Sequence, residues 1–277
     1  MTGGNPAIGL AEWRLPVRGA EAVELAASYG VRGIQLDFGG SGRGVPLDTP
    51  GRARSLRREA NGSGVELLAV AGNLLNDIGL TAPERSRAAR SARGAVIALL
   101  DSAVSLGVRL VLVPSFRAST IDGPEELERT VSVLRWAAEE ARTRNLVLAN
   151  ENVLSPTTAV ELFERVGSDS FRLVLDTGNP DVEGTDVPGL VRTLGPRIAD
   201  QVHLKDGPLG LGDEWRGSGE IRATELSRAF ARSGISVNWL ILENDYRVAD
   251  PRVIGLDVAA ARRFADRIVP TKTGDSG

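Results

Sequence analysis

The chain of 277 residues has no cysteine, one histidine and two lysines. Each shortage excludes something. Without cysteine there is no disulfide, no thiolate metal ligand and no cysteine nucleophile, and a reducing, cytoplasmic setting is expected. A lone histidine, His203, leaves no material for a multi-histidine zinc centre. Because Lys205 and Lys272 are the only lysines, thirty-one of the thirty-three basic residues are arginines. These are scattered over segments that read as helices, and the net charge is −3. The clustered basic surface that nucleic acid requires is therefore missing. The first residues lack the basic region and apolar stretch of a secretory signal. The longest apolar runs, such as Ala95–Leu100, fall well short of the roughly 20 residues of a membrane-spanning helix. Neither nucleic acid nor membrane is expected as a partner.

What is present is strand-helix alternation. With 42% hydrophobic residues the chain can bury one large core. Strand-length apolar runs recur at Ala7–Leu10, Gly33–Phe38, Glu66–Ala71, Arg109–Pro114, Leu146–Glu151, Arg172–Asp176, Asp200–Lys205 and Trp239–Glu243. Helical signals lie between them: Pro124-Glu125-Glu126 and Pro156-Thr157-Thr158 open helices, and Gly107 and Gly234 close others. Eight such units in about 250 residues is the arithmetic of an α/β fold of the (β/α)8 barrel type, in a single domain. The rival, a doubly wound open sheet, would carry a Gly-x-Gly-x-x-Gly turn after its first strand, and none is there. The barrel is expected over residues 1–270, with 271–277 as a polar, flexible tail.

In a barrel the active site lies at the C-terminal strand ends. Strands five to eight finish on Glu151, Asp176, His203 and Glu243, spaced by 25, 27 and 40 residues. Adjacent strands lie about 4.8 Å apart, so the four tips can converge. Three carboxylates gathered in one place repel one another unless a cation sits among them. One imidazole with carboxylate oxygens is a hard, mixed set suited to Mn²⁺, with Mg²⁺ or Co²⁺ as alternatives. The plainer reading of each acid alone is a helix cap or a loop residue.

These residues resemble those of the xylose-isomerase-like TIM barrels, the sugar phosphate isomerase/epimerase group. The resemblance spans the whole barrel and is carried by Glu151, Asp176-Thr177-Gly178-Asn179, His203-Leu204-Lys205-Asp206, Gly217-Ser218-Gly219 and Glu243. It implies a metal held by Glu151, Asp176, His203 and Glu243, with Glu151 and Glu243 also as catalytic acid and base. It implies an isomerase or epimerase that works on a small sugar, sugar phosphate or polyol-derived hydroxy-carbonyl compound through a metal-stabilised enediolate. Homodimers or homotetramers are usual among such proteins. Arg216 is similar to a family arginine that reaches substrate oxygens. Asn179 stands where ketose 3-epimerases of the family have a histidine, and Thr157 where they have a substrate-binding glutamate.

Arg216, Lys205, Asn179, Trp13 and Glu12 are the candidate substrate-binding residues, with Asp37, Asn73 and Ser115 completing the ring at strands two to four. The Gly-Ser-Gly backbone is a candidate phosphate cradle or a plain turn. A dehydratase on the same scaffold is the alternative activity. An abasic-site endonuclease would need several histidines, and a barrel without catalysis would have no use for the Glu-Asp-His-Glu set.

Overall fold

A computed structural model describes residues 5–179, 186–205, 211 and 219–268. Its strands are β1 (Ala7–Ala11), β2 (Gly33–Asp37), β3 (Glu66–Ala71), β4 (Leu110–Pro114), β5 (Val147–Glu151), β6 (Phe171–Leu173), β7 (Gln201–Leu204) and β8 (Trp239–Leu242). Between and after them run α1 (Ala20–Ser28), α2 (Arg52–Ser63), α3 (Leu75–Ile78), α4 (Arg87–Leu106), α5 (Pro124–Thr143), α6 (Pro156–Val166), α7 (Val187–Leu194), α8 (Gly219–Ser233) and α9 (Arg252–Ile268). No helix among the described residues is long and apolar enough to cross a membrane. The expected tail, 271–277, lies outside the described residues.

The strands pair in parallel in the order β6-β5-β4-β3-β2-β1-β8-β7. β6 and β7 then meet through two single bridges, Leu173 with Ile198 and Asp176 with His203. Ala199 N donates to Leu173 O at 2.7 Å, His203 N to Leu175 O at 2.8 Å and Thr177 N to His203 O at 3.0 Å. The ring is thus a (β/α)8 barrel whose seam lies between two candidate metal ligands. β6 is shorter than its apolar run suggests, because regular pairing with β5 stops at Leu173.

Helices begin and end where local chemistry directs. Ser86 accepts from Ala89 N at 3.0 Å to cap α4, which ends at Gly107 with φ 75°, a conformation open to glycine. α5 starts on Pro124 with Glu125 and Glu126 in its first turn, and buries Leu127, Val131, Leu134, Ala138 and Ala141 along one face.

Two apolar clusters result. The larger lies between barrel and helices, while a smaller one fills the barrel and includes Ala11, Trp13, Ala71, Leu112, Ala149, Val174 and Ile241. Gly33 belongs there for steric reasons: a Cβ would stand 2.5 Å from the Trp239 ring and 2.6 Å from Leu68 Cδ1.

Candidate active site

Side chains alternate across a strand, so a residue two places beyond a barrel-filling one also points inward. Glu151 follows Ala149, Asp176 follows Val174 and Glu243 follows Ile241 in this way. His203 shares the inward phase of Gln201, since Val202 and Leu204 belong to the outer core. All four are buried, and one ligand atom from each lies within 4.8 Å of the others. Sequence and fold therefore agree on where these groups meet.

Asp176 is held by the turn after its strand. Its Oδ1 accepts from Gly178 N at 2.7 Å and Asn179 N at 2.6 Å, while Oδ2 is buried with no hydrogen-bond partner. An orphaned carboxylate oxygen facing two glutamates and an imidazole calls for a cation.

The tautomer of His203 is set from the barrel interior. Gln201 Nε2 donates to Leu68 O at 3.1 Å, so Gln201 Oε1 accepts from Gln35 Nε2 at 2.9 Å. Gln35 Oε1 is then left to accept from His203 Nε2 at 2.9 Å. With its proton on Nε2, the imidazole turns the Nδ1 lone pair toward Glu243 Oε2 at 3.1 Å and Glu151 Oε1 at 3.9 Å. Burial opposes a positive imidazole, but the Glu243 hydrogen bond and the charges of Glu151, Glu243 and Asp176 outweigh it and raise the His203 pKa. That cluster favours positive charge at Nδ1, as a proton or as a metal.

The two glutamates differ in surroundings. Glu243 Oε1 accepts from Trp13 Nε1 at 2.8 Å and Arg14 Nε at 3.1 Å. Burial alone would raise its pKa, yet the His203 hydrogen bond and the charges of Lys205, His203 and Arg14 hold it well below the usual carboxylate range. Glu151 accepts from Asn179 Nδ2 at 3.2 Å, and burial followed by the Glu243 charge pushes it up to about 6. Asp176 is driven to about 8 by burial and by the charges of Glu243 and Glu151. The protein groups alone thus place three neighbouring carboxyls in unequal surroundings. Behind Glu243, Asp257 accepts from Asn244 Nδ2 at 3.0 Å and Tyr246 Oη at 2.7 Å, anchoring the end of β8.

Above the cluster opens a cavity of about 780 Å³, bordered by Glu151, Glu243, Trp13, Asn179 and Lys205. Lys205 Nζ donates to Asn179 Oδ1 at 2.8 Å, which turns the amide NH₂ toward Glu151. Trp13 donates to Glu243 and lies 6.0 Å from the His203 ring at 52°, so it positions a glutamate as well as bordering the cavity. Asn73 and Ser115 also face the cavity, and Ser115 accepts from Asn150 Nδ2 at 2.8 Å.

Glu12 has a different place from the one expected. It falls on the outward phase, one residue before Trp13, and both its oxygens accept backbone N–H groups: Gly19 at 2.6 Å and Asp37 at 2.7 Å. It ties the first loop to β2 and does not border the cavity. Thr157 is exposed in the first turn of α6. Arg216, Asp206 and Gly217-Ser218 lie outside the described residues. Arg14, Gln35 and Gln201 join the site without belonging to any motif of the sequence. The signal for both glutamines was a polar residue at an inward position of an otherwise apolar strand.

The donors present fit a divalent cation. Three carboxylates and one correctly protonated imidazole converge, with one carboxylate oxygen orphaned and the imidazole fixed from behind. This site can hold a metal and, with two glutamates beside a cavity, move protons on a bound molecule.

Comparison with known proteins agrees. Over 261 residues the chain is 49% identical to the 2-epi-5-epi-valiolone 7-phosphate 2-epimerase of Actinoplanes sp. (strain ATCC 31044 / CBS 674.73 / SE50/110), covering 93% of this chain and 94% of that protein. Among solved structures, D-psicose 3-epimerase of Clostridium cellulolyticum H10, crystallised with D-tagatose, superposes with a TM-score of 0.75 at 18% identity over 95% of this chain and 99% of the other. The IOLI protein with a bound zinc atom superposes with a TM-score of 0.74 at 18% identity over 96% and 100%. The sequence pattern of one family matches residues 23–263. The chain belongs to the xylose isomerase-like TIM barrel family.

Proposed function

We propose that the protein is a divalent-metal-dependent epimerase of a small, sugar-like hydroxy-ketone, and that Glu151 and Glu243 exchange the proton of one carbon. The observation that carries this reading is the pair of buried glutamates beside a shared cation site, within a chain 49% identical to a sugar-type epimerase. Glu151, Asp176, His203 and Glu243 would hold the ion, and Mn²⁺ suits this oxygen-rich set best. When bound, the cation supplies Lewis-acid stabilisation of the negative oxygens of an enediolate.

The chain's own residues do the rest. Glu151, oriented by Asn179 at the edge of the cavity, is placed to deliver a proton to one face of that carbon. Glu243, kept ionised by Trp13, Arg14 and His203, is placed to take the C–H proton from the opposite face as Glu151 supplies one, and the two exchange roles in the reverse direction. His203, fixed by Gln35, acts as ligand and not as proton carrier. Lys205 steadies Asn179, which in turn orients Glu151. The relative's name specifies a ketone phosphorylated at position 7 and inverted at position 2, which supports a hydroxy-ketone of similar kind here.

Incubating the Mn²⁺-loaded protein with candidate keto-sugars and keto-cyclitols in D₂O tests the proposal. Deuterium enters one carbon as the inverted isomer accumulates. If no candidate exchanges its proton with metal bound, the epimerase reading fails. An ultraviolet-absorbing unsaturated product in place of an isomer would assign dehydration instead.

A further inference from the structure

Across the mouth from the metal ligands, the tips of β1 to β3 carry a second group of side chains with no role in holding the ion. Arg18 follows β1, Arg43 follows β2 and Asn73 follows β3, and all three border the same cavity as Glu151 and Glu243. Arg18 Nη2 donates to Trp13 O at 3.2 Å, which fixes the guanidinium, but Nη1 is buried with no partner. The Asn73 Nδ2 is buried beside Asp37. Arg43 is braced by Asp77, to which its Nε donates at 3.2 Å and its Nη2 at 2.6 Å, and Arg117 joins the same carboxylate at 3.0 Å.

We propose that Arg18, Arg43 and Asn73 form the subsite for a phosphate monoester on the substrate, so that the ketone is bound between the cation site and this arginine pair. This rests on the epimerase reading and narrows its substrate to phosphorylated ketones. The buried Arg18 Nη1 needs an acceptor, and a phosphate dianion offers three oxygens of the kind that guanidinium groups bind in forked geometry. The protein's own acid nearby does not fill that role. Asp37 lies close enough for Asn73 to donate to it and for Arg43 and Arg18 to favour its charge, yet it takes no hydrogen bond from Arg18 Nη1. Burial and the Glu12 charge push its carboxyl up to about 7, which weakens it as a counterion for the arginines. Holding the two ends of the substrate on opposite sides of the mouth also fixes which carbon faces the glutamates.

Calorimetric titration of inorganic phosphate into the full chain, both Mn²⁺-loaded and chelator-treated, provides the test. Phosphate binds in both states. Arg18→Gln and Arg43→Gln each weaken it by roughly tenfold or more, as expected for loss of a charge-assisted contact. Arg18→Lys loses less, and Arg142→Gln, an exposed arginine paired with Glu139 on α5, changes nothing. Unchanged affinity in Arg18→Gln and Arg43→Gln overturns the subsite, as does binding that needs the metal and vanishes in His203→Ala. The two proposals fail separately. Phosphate binding with no deuterium exchange sinks the epimerase reading, while exchange with an unaltered KM for a phosphorylated ketone in Arg18→Gln sinks the subsite.

Discussion

Glu12 and Glu243 are both buried glutamates at strand ends on the same rim, each 3% exposed, yet they belong to different kinds of structure. Glu12, on the outward phase, has its carboxylate saturated by two backbone N–H groups. Glu243, on the inward phase, is met only by side chains, Trp13, Arg14 and His203, and faces two other acids. The contrast extends to the two halves of the rim. Inward tips of β5 to β8 present Glu, Asp, His and Glu, whereas the β1 to β3 half presents Trp13 and Asn73 with two arginines beside them. For these two glutamates strand phase, not residue type, separates scaffold from chemistry.

The sharpest break in this comparison comes from the inward set. His203→Ala should abolish Mn²⁺ binding by calorimetry and lower epimerisation by about a thousandfold or more, since it removes the ligand on which the Lewis acid depends. Gln35→Leu is the next largest: loss of the acceptor for His203 Nε2–H should weaken Mn²⁺ affinity by about 10–100-fold without removing a ligand. If that affinity is unchanged, the tautomer is not set by Gln35. Glu12→Gln moves to the outward set. It should destabilise the fold by about 2 kcal/mol in urea unfolding, because an amide NH₂ then faces a backbone N–H. Mn²⁺ affinity of the folded variant should stay as in the parent chain, and a loss of metal without a loss of stability would erase the distinction between the halves.

Asp37 gives the most graded effect, one that is absent near pH 4 and builds as pH rises. Its folded pKa, about 7, lies above the ordinary value of 3.8. The folded state therefore holds its proton longer than the unfolded chain, and stability falls as pH rises from about 4 to about 7. Asp37→Asn cannot ionise, so its stability should gain on the parent by up to about 1.4 kcal/mol per pH unit across that window and level off above it. Urea midpoints that run parallel across the window would show that Asp37 is ionised throughout.

Much of this was legible in the sequence. All eight strands fall on the expected apolar runs, and Glu66–Ala71 has the same bounds in both. The three inward acids and the imidazole could be read because each ends a strand, and a strand end fixes position along the barrel axis. Phase around the strand was harder. Ala11-Glu12-Trp13 continues β1 as a short 3₁₀ turn, so counting alone did not separate Glu12 from Trp13. The Gln201–Gln35–His203 relay joins residues up to 168 positions apart, and only closure of the barrel brings them together. Arg18 and Arg43 were hidden among many arginines, several of which pair with surface acids, as Arg142 does with Glu139. What distinguishes Arg18 is a buried donor without a partner, a property of packing and not of sequence.

The central claim, that Glu151, Asp176, His203 and Glu243 form one cation site, is tested most directly by titrating Mn²⁺ into the chelator-treated protein while following heat and thermal unfolding. A single high-affinity ion per chain is expected, with a rise in Tm that saturates with it and is lost in His203→Ala. A protein that takes up no Mn²⁺ in excess, or whose Tm rises equally in His203→Ala, would contradict it.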